Sequence, residues 1–237
     1  MFPIDDDNPT RITPYVTYVL IALNILIFIY ELTFTEKGLT NFFYQWAVVP
    51  AQLTGAITGN SLPILTVQPP EILTLITAQF LHAGFAHIGG NMLFLWIFGN
   101  NVEDQLGHIK FLLFYLACGV LASLAQWYFS QGSQLPSLGA SGAIAGVMGA
   151  YIIRFPKVSV KTVIPIGIFP FVTNIPAYFY LGIWFLQQAL YSFATLAPKT
   201  NVGMENGGVA YWAHAGGFVF GAILGPLLGL FSQRSEA

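Results

Sequence analysis

The feature that most constrains this chain is a series of apolar segments, each close to the length that crosses a membrane. A bilayer core takes about 20 mostly apolar residues per helix. Only 8% of the residues are charged and 55% are hydrophobic, against roughly 25% charged in soluble domains. So few charges cannot cover a water-facing surface, and we therefore predict an all-α polytopic membrane protein. We expect six spans, at about 14–33, 82–103, 109–130, 140–155, 176–196 and 209–231.

Basic residues predict how these spans are oriented, because the cytoplasmic loops of membrane proteins carry an excess of Lys and Arg. If the N-terminus is cytoplasmic, the outer side holds only Lys37 and Lys199. The cytoplasmic side then holds Arg11, Lys110, Arg154, Lys157, Lys161 and Arg234. We therefore expect both termini on the cytoplasmic side, with the inverse topology as the alternative.

Two connections between the spans are unusual. The outer connection, at about 34–81, contains the aromatic stretch FFYQWAVVPAQLTGA, which is typical of a segment lying in the membrane interface. The segment 161–175 is apolar but interrupted by proline and glycine, and we expect it at the cytoplasmic boundary. No internal repeat divides the chain, so we predict a single membrane domain over residues 1–237.

Polar side chains inside the predicted spans indicate a functional site, because ionisable groups are costly in a membrane. His87 lies early in the second span, Ser141 at the start of the fourth and His214 early in the sixth. Under the predicted topology these spans all run inward from the outer side, so the three residues lie at similar depth. Asn91 follows His87 by four residues and therefore shares its helix face.

Glycines recur along one face of the fourth and sixth spans. Such stripes let helix backbones approach closely in lipid. If the two spans meet, His214 comes near Ser141, which needs an adjacent base because serine alone is a poor nucleophile. The stripes consist of Gly142, Gly146 and Gly149 in the fourth span, and Gly217, Gly221 and Gly225 in the sixth.

The remaining polar groups predict how such a site would work. No acidic residue lies inside a span near the outer end of the fourth or sixth span, so we expect a serine–histidine dyad without an acidic third member. His87, Asn91 and the backbone N–H groups at the start of the fourth span, including that of Gly142, are candidates for stabilising an oxyanion.

Each of these residues also has a purely structural interpretation. Serine is a favoured helix N-cap, so Ser141 could simply begin the fourth span. Hydrogen bonds between helices would be a sufficient role for His214, His87 and Asn91. His82 could be a loop histidine that is hydrogen bonded to the backbone. Three glutamines in the spans could either admit water or bond neighbouring helices, and the sequence does not decide between these roles: Gln126, Gln187 and Gln188.

Taken together, these motifs resemble the rhomboid family of intramembrane serine proteases. The matching pieces are HAGFAHIGGNM, FGNNVEDQLG, GASG and AHAGG, in the family's order, over roughly residues 70–226. The resemblance implies a six-helix rhomboid-like bundle in which Ser141 is the nucleophile and His214 its base. It also implies oxyanion roles for His87 and Asn91, substrates that are single-span membrane proteins cut near the outer boundary, and a bacterial inner or plasma membrane location.

Two positions depart from the pattern of the family. Leu73 and Thr74 stand where many members carry a Trp–Arg pair. Ala145 stands where some members place an aromatic residue against the catalytic imidazole. The first departure removes any role of that pair, and the second leaves open what packs against His214.

Several other functions are disfavoured. The net charge of −2 offers no basic surface for nucleic acid. The chain has no H-E-x-x-H motif, no pair of intramembrane aspartates and a single cysteine, Cys118, so we expect no metal and no cofactor. The main alternative is an inactive rhomboid-like factor that binds and escorts membrane proteins. A small transporter is a further alternative, although transporters often contain inverted repeats.

Overall fold

The computed structural model describes residues 1–59, 70–167, 169–196 and 210–232 of the chain. In chain order, the elements are β1 (Phe2–Asp6), α1 (Tyr15–Glu31), α2 (Glu36–Trp46), α3 (Pro50–Thr58), α4 (Glu71–Thr77), α5 (Phe85–Leu106), α6 (His108–Phe129), α7 (Ser141–Arg154), β2 (Ser159–Ile166), β3 (Phe169–Pro176), α8 (Ala177–Ala194) and α9 (Tyr211–Leu228). Part of the predicted outer connection, residues 60–69, lies outside the described residues, as do Lys199 and Arg234 of the orientation argument.

Helices α1 and α5 to α9 begin and end within three residues of the six predicted spans. By length and composition, α6 and α9 could each cross a membrane. A third candidate forms if α4, the short 3-10 turn Ala78–Phe80 and α5 count as one span bent by 82°. Helices α1 and α7 are apolar but shorter, at 17 and 14 residues. The chain is therefore mostly helical with two or three candidate spans among its described residues, while six crossings and cytoplasmic termini stay predictions.

A small sheet departs from the predicted all-α fold. Strands β1, β2 and β3 form a three-stranded antiparallel sheet in that order. The segment 161–175, expected as an irregular boundary connection, lies in the β2–β3 hairpin, where Pro165 faces Pro170 near the turn. β-branched residues favour strands, and two of them, Val160 and Thr162, are completely buried. The end of the hairpin that contains Val160 and Thr162 is therefore packed against the rest of the protein, unlike an irregular surface loop.

The sheet is joined to α7 by one hydrogen bond. The Tyr151 hydroxyl donates to the carboxylate of Asp6 in β1. Burial raises the pKa of Asp6 to about 6, and the bond from Tyr151 acts in the opposite direction by favouring the charged form. The N-terminal strand is thereby attached to the end of α7 that lies away from Ser141.

The start of α1 is held by a carboxylate from α5. Glu103 is fully buried and accepts hydrogen bonds from the backbone N–H groups of Val16 and Thr17, at 2.9 and 2.7 Å. It also accepts from the Thr17 hydroxyl, and the Nδ1 atom of His108 lies 2.6 Å from its other oxygen. The first N–H groups of a helix lack partners within the helix, and a negative charge there is favourable. Glu103 therefore fixes α1 against α5.

Helices α7 and α9 pack backbone to backbone through the predicted glycine stripes. A Cβ atom added at Gly149, Gly217 or Gly221 would overlap a backbone carbonyl oxygen of the facing helix. A Cβ added at Gly146 would overlap the side chain of Cys118 on α6. No side chain larger than hydrogen fits at these positions, so glycine determines how closely the two helices approach.

Candidate active site

Ser141 and His214 are in hydrogen-bond contact across the α7–α9 interface. Ser141 is the first residue of α7, and His214 is in the first turn of α9. The Oγ atom of Ser141 lies 2.7 Å from the Nε2 atom of His214, which is a normal hydrogen-bond distance. The close glycine packing between α7 and α9 brings these two residues together, although 73 positions separate them.

The structural interpretation of Ser141 as a helix cap is wrong. Ala140 is the N-cap of α7, and no side chain caps this helix end. The Ser141 hydroxyl is therefore engaged with His214, while the first N–H groups of α7, including that of Gly142, have no partner within the helix because of helix geometry.

The turn before Ser141 requires glycine. Gly139 has a φ of +122°, which L side chains rarely adopt. A Cβ atom at this position would also lie only 2.7 Å from Nε2 of His87. The turn therefore allows the start of α7 to lie beside His87 on α5.

His87 and Asn91 are both in the α5 wall next to Ser141. The Nδ1 atom of His87 accepts a hydrogen bond from the Ala83 N–H at 3.3 Å, so in the neutral imidazole Nε2 carries the proton. The side-chain nitrogen of Asn91 is buried and has no partner among the described residues. An unpaired buried donor is costly, so this N–H group is available to an acceptor on a ligand.

A cavity of about 670 Å³ joins these four residues. His87, Asn91, Ser141 and His214 line it together with apolar side chains. The apolar part includes Phe94, Ile144, Met148 and Trp184. A volume of this size is typical of ligand sites, and the Ser141–His214 contact lies at its wall.

A second cavity, of about 20 Å³, is also lined by Ser141. Its lining includes the polar residues Gln79, Ser123 and Ser137. A space of this size with several polar partners is enough for about one water molecule.

Two residues of α8 contact His214: Gln188, whose role the sequence left open, and Trp184, which was not identified from the sequence. The Oε1 atom of Gln188 lies 2.8 Å from Nδ1 of His214. The ring of Trp184 lies 5.8 Å from the imidazole, centroid to centroid, at an interplanar angle of 37°. Ala145 is buried within α7, so the aromatic neighbour of the imidazole comes from α8. The spacing of Trp184 and Gln188, four residues apart on one helix face, was the available sequence signal.

His82 is next to His87 but does not line the cavity. It is buried, and its backbone N–H is 3.2 Å from the carboxylate of Glu31 at the end of α1. The rings of His82 and His87 are 5.0 Å apart. His82 therefore packs against His87 from the side of α1.

No three His, Cys, Asp or Glu side chains lie together as metal ligands would in the part of the chain that the structure describes. The expectation that the protein uses no metal stays a prediction.

Comparison with known proteins identifies the family. The rhomboid domain family model matches residues 69–231. The chain is 39% identical over 139 residues to Rhomboid protease GluP of Bacillus subtilis, covering 59% of this chain and 24% of the relative. It is 32% identical over 159 residues to Rhomboid protein 1, mitochondrial, of Saccharomyces cerevisiae, covering 65% and 41%. It is 37% identical over 84 residues to Rhomboid-like protein 11, chloroplastic, of Arabidopsis thaliana, covering 35% and 30%.

The matched segments thus span between 24% and 41% of the length of these relatives. Because the family model covers most of the chain and includes both Ser141 and His214, this chain belongs to the rhomboid family.

Proposed function

We propose that this protein is an intramembrane serine endopeptidase that uses Ser141 and His214. The observation that carries the proposal is the 2.7 Å contact between the Ser141 Oγ and the His214 Nε2 at the wall of a cavity. A serine becomes an effective nucleophile when a base lies within hydrogen-bond reach. The family includes proteins named as proteases, among them the GluP relative.

The reaction would follow the usual course of acyl transfer. The Ser141 oxygen attacks the carbonyl carbon of the scissile peptide bond while His214 takes the hydroxyl proton. His214 then gives this proton to the departing amine, which leaves an ester on Ser141. A water molecule, activated by His214, hydrolyses the ester and restores the free hydroxyl. The small polar cavity beside Ser141 is a suitable source of that water.

Negative charge develops on the carbonyl oxygen during attack, and stabilising it is usually a large part of catalysis. The candidate donors are the Asn91 side-chain N–H, the His87 Nε2–H and the free N–H groups at the start of α7, including that of Gly142. His87 and Asn91 line the same cavity as Ser141, and Gly142 directly follows Ser141 at the start of α7, which supports a shared oxyanion role.

The substrate would be a transmembrane segment of a single-span membrane protein. Apolar side chains line most of the cavity, which suits an apolar chain. A peptide bond within a helix is shielded, because its carbonyl is hydrogen bonded to the following turn. The segment must therefore unwind near the outer membrane boundary before Ser141 can reach it.

The proposed location is a bacterial inner or plasma membrane, as the family resemblance implies. The relatives come from a bacterium, mitochondria and chloroplasts, so the compartment depends on the source organism.

Active-site labelling tests this proposal directly. We expect a fluorophosphonate to form a covalent adduct on Ser141, because only a serine with an adjacent base reacts readily. His214→Ala should lower the labelling rate strongly, while Ser133→Ala, in the connection between α6 and α7 and in neither cavity wall, should leave it unchanged. An adduct on another serine, or none at all, would argue against an activated Ser141. Binding of a transmembrane substrate without cleavage would favour the inactive rhomboid-like binding factor.

Asn91→Ala is expected to lower kcat by about 10²-fold, because it removes one oxyanion donor. The expected KM stays within about twofold, since the interaction forms mainly in the transition state. Asn100→Ala is the matched control on the same helix, far from the cavity. Initial-rate measurements on a fluorescent transmembrane substrate distinguish the two parameters. A raised KM with unchanged kcat would show that Asn91 contributes to substrate binding and not to oxyanion stabilisation.

A further inference from the structure

His214 has a second hydrogen-bond partner, and this partner bears on its ability to act as a base. The Nδ1 atom of His214 lies 2.8 Å from the Oε1 atom of Gln188. Gln188 is on α8 and only 8% exposed. Its side chain therefore contacts the imidazole from the side opposite Ser141.

The chemistry of a neutral imidazole determines which atom donates the hydrogen bond between His214 and Gln188. One ring nitrogen carries a proton and the other carries a lone pair. His214 can accept the Ser141 proton only if the lone pair is on Nε2, so Nδ1 must carry the hydrogen. A side-chain amide oxygen only accepts hydrogen bonds. The Gln188 oxygen therefore favours the tautomer with Nδ1–H, and it opposes the other tautomer, in which two lone pairs would face each other.

The same helix restrains the ring in a second way. Trp184 precedes Gln188 by one helical turn, and its ring lies 5.8 Å from the imidazole. Helix α8 thus contacts His214 both at a ring edge and beside the ring, which limits rotation of the imidazole away from Ser141.

We propose that Gln188 is a positioning residue that holds His214 in the tautomer and orientation required of a general base. The inference rests on the proposed function, since it assigns Gln188 a role in the same reaction. The site would then be a hydrogen-bonded row of Ser141, His214 and Gln188, in which the uncharged Gln188 orients the imidazole and takes no proton. An amide serves here without placing a charge in a buried setting, where an ion carries a large desolvation cost.

The competing interpretation is that Gln188 only ties α8 to α9, as interhelical hydrogen bonds do in membrane proteins. Such a bond contributes to stability and leaves the chemistry unchanged. The two interpretations therefore differ in kcat and in the protonation of the imidazole.

The experiment compares Gln188→Met, Gln188→Glu and Gln187→Met with the wild-type protein. Methionine has a similar shape to glutamine but no strong acceptor, while glutamate keeps an acceptor at the same place. Gln187 is the adjacent, exposed residue, with its amide near Tyr191, and serves as the matched control. The measurements are kcat and KM on a transmembrane substrate, and ¹⁵N NMR of labelled histidine with the His214 signals assigned from His214→Ala.

We expect Gln188→Met to lower kcat about tenfold, equivalent to ~1.4 kcal/mol, with KM within about twofold. Gln188→Glu should keep more activity than Gln188→Met, and Gln187→Met should match the wild type. In the wild type the His214 signals should show a protonated Nδ1, and in Gln188→Met a mixture of both tautomers.

The inference is overturned if Gln188→Met retains wild-type kcat, or if Gln188→Met and Gln188→Glu lose activity equally. It is also overturned if wild-type His214 is protonated on Nε2, a result that needs no Gln188 variant and decides the matter even if Gln188→Met does not fold. A Ser141→Ala control separates this from failure of the proposed function. If Ser141→Ala cleaves as well as the wild type, the proposed dyad mechanism is wrong. If Ser141→Ala is inactive and Gln188→Met is fully active, only the proposed role of Gln188 is wrong.

Discussion

Ser141→Ala is expected to abolish cleavage of a transmembrane substrate, lowering kcat by about 10⁴-fold or more. The physical reason is that the hydroxyl hydrogen bonded to His214 is the only nucleophile that the 2.7 Å contact activates. Removing it leaves a cavity that can still accept a substrate, so binding should persist. The measurement is a gel-based or fluorescence assay with purified protein in liposomes.

His214→Ala should cause a loss of similar size, and the double variant should be no worse than either single variant. Residues that act as one unit show such non-additive effects. The two single variants should retain the thermal stability of the wild type to within a few degrees, because each removes a small part of the packing. Undiminished cleavage by Ser141→Ala would contradict the mechanism.

Gly221→Ala is expected to destabilise the bundle by about 3 kcal/mol or more, the upper end of the range for overpacked cores. The added methyl group would overlap the backbone carbonyl of Gly146, and a backbone cannot rotate away as a flexible side chain can. Helices α7 and α9 must therefore separate, which also moves His214 away from Ser141. Cleavage should fall together with the unfolding temperature.

Gly182→Ala on α8 is the matched control for this prediction. A Cβ atom added there meets nothing within 4 Å, and alanine is favoured over glycine in a helix by about 1 kcal/mol. Its stability should stay equal to the wild type or rise slightly. Thermal unfolding followed by circular dichroism in detergent compares both variants. A Gly221→Ala protein with wild-type stability and cleavage would show that the two helices are not held by backbone contact.

The helices were predictable because their signal is local. Each apolar run is long enough to be recognised by itself, and α6 and α9 begin and end close to the predicted boundaries. The contact between Ser141 and His214 was also predictable in outline, because glycine repeats on two spans indicate that those spans pack closely.

The sheet was not predicted, for two physical reasons. Strand β1 pairs with residues about 160 positions further along the chain, and no local pattern specifies such a partner. The β2–β3 segment is apolar and contains prolines, so in a membrane protein it has the composition of a boundary connection as well as that of a hairpin.

By itself, the sequence determined that this is a membrane-embedded helical protein of the rhomboid family with a serine and a histidine on two glycine-striped helices. Only the tertiary structure decided what surrounds the imidazole. Gln188 and Trp184 lie on a helix whose rotation about its own axis depends on packing against α9, and composition does not specify that rotation. The same packing separates one glutamine that contacts His214 from its neighbour, Gln187, which is exposed on the helix surface.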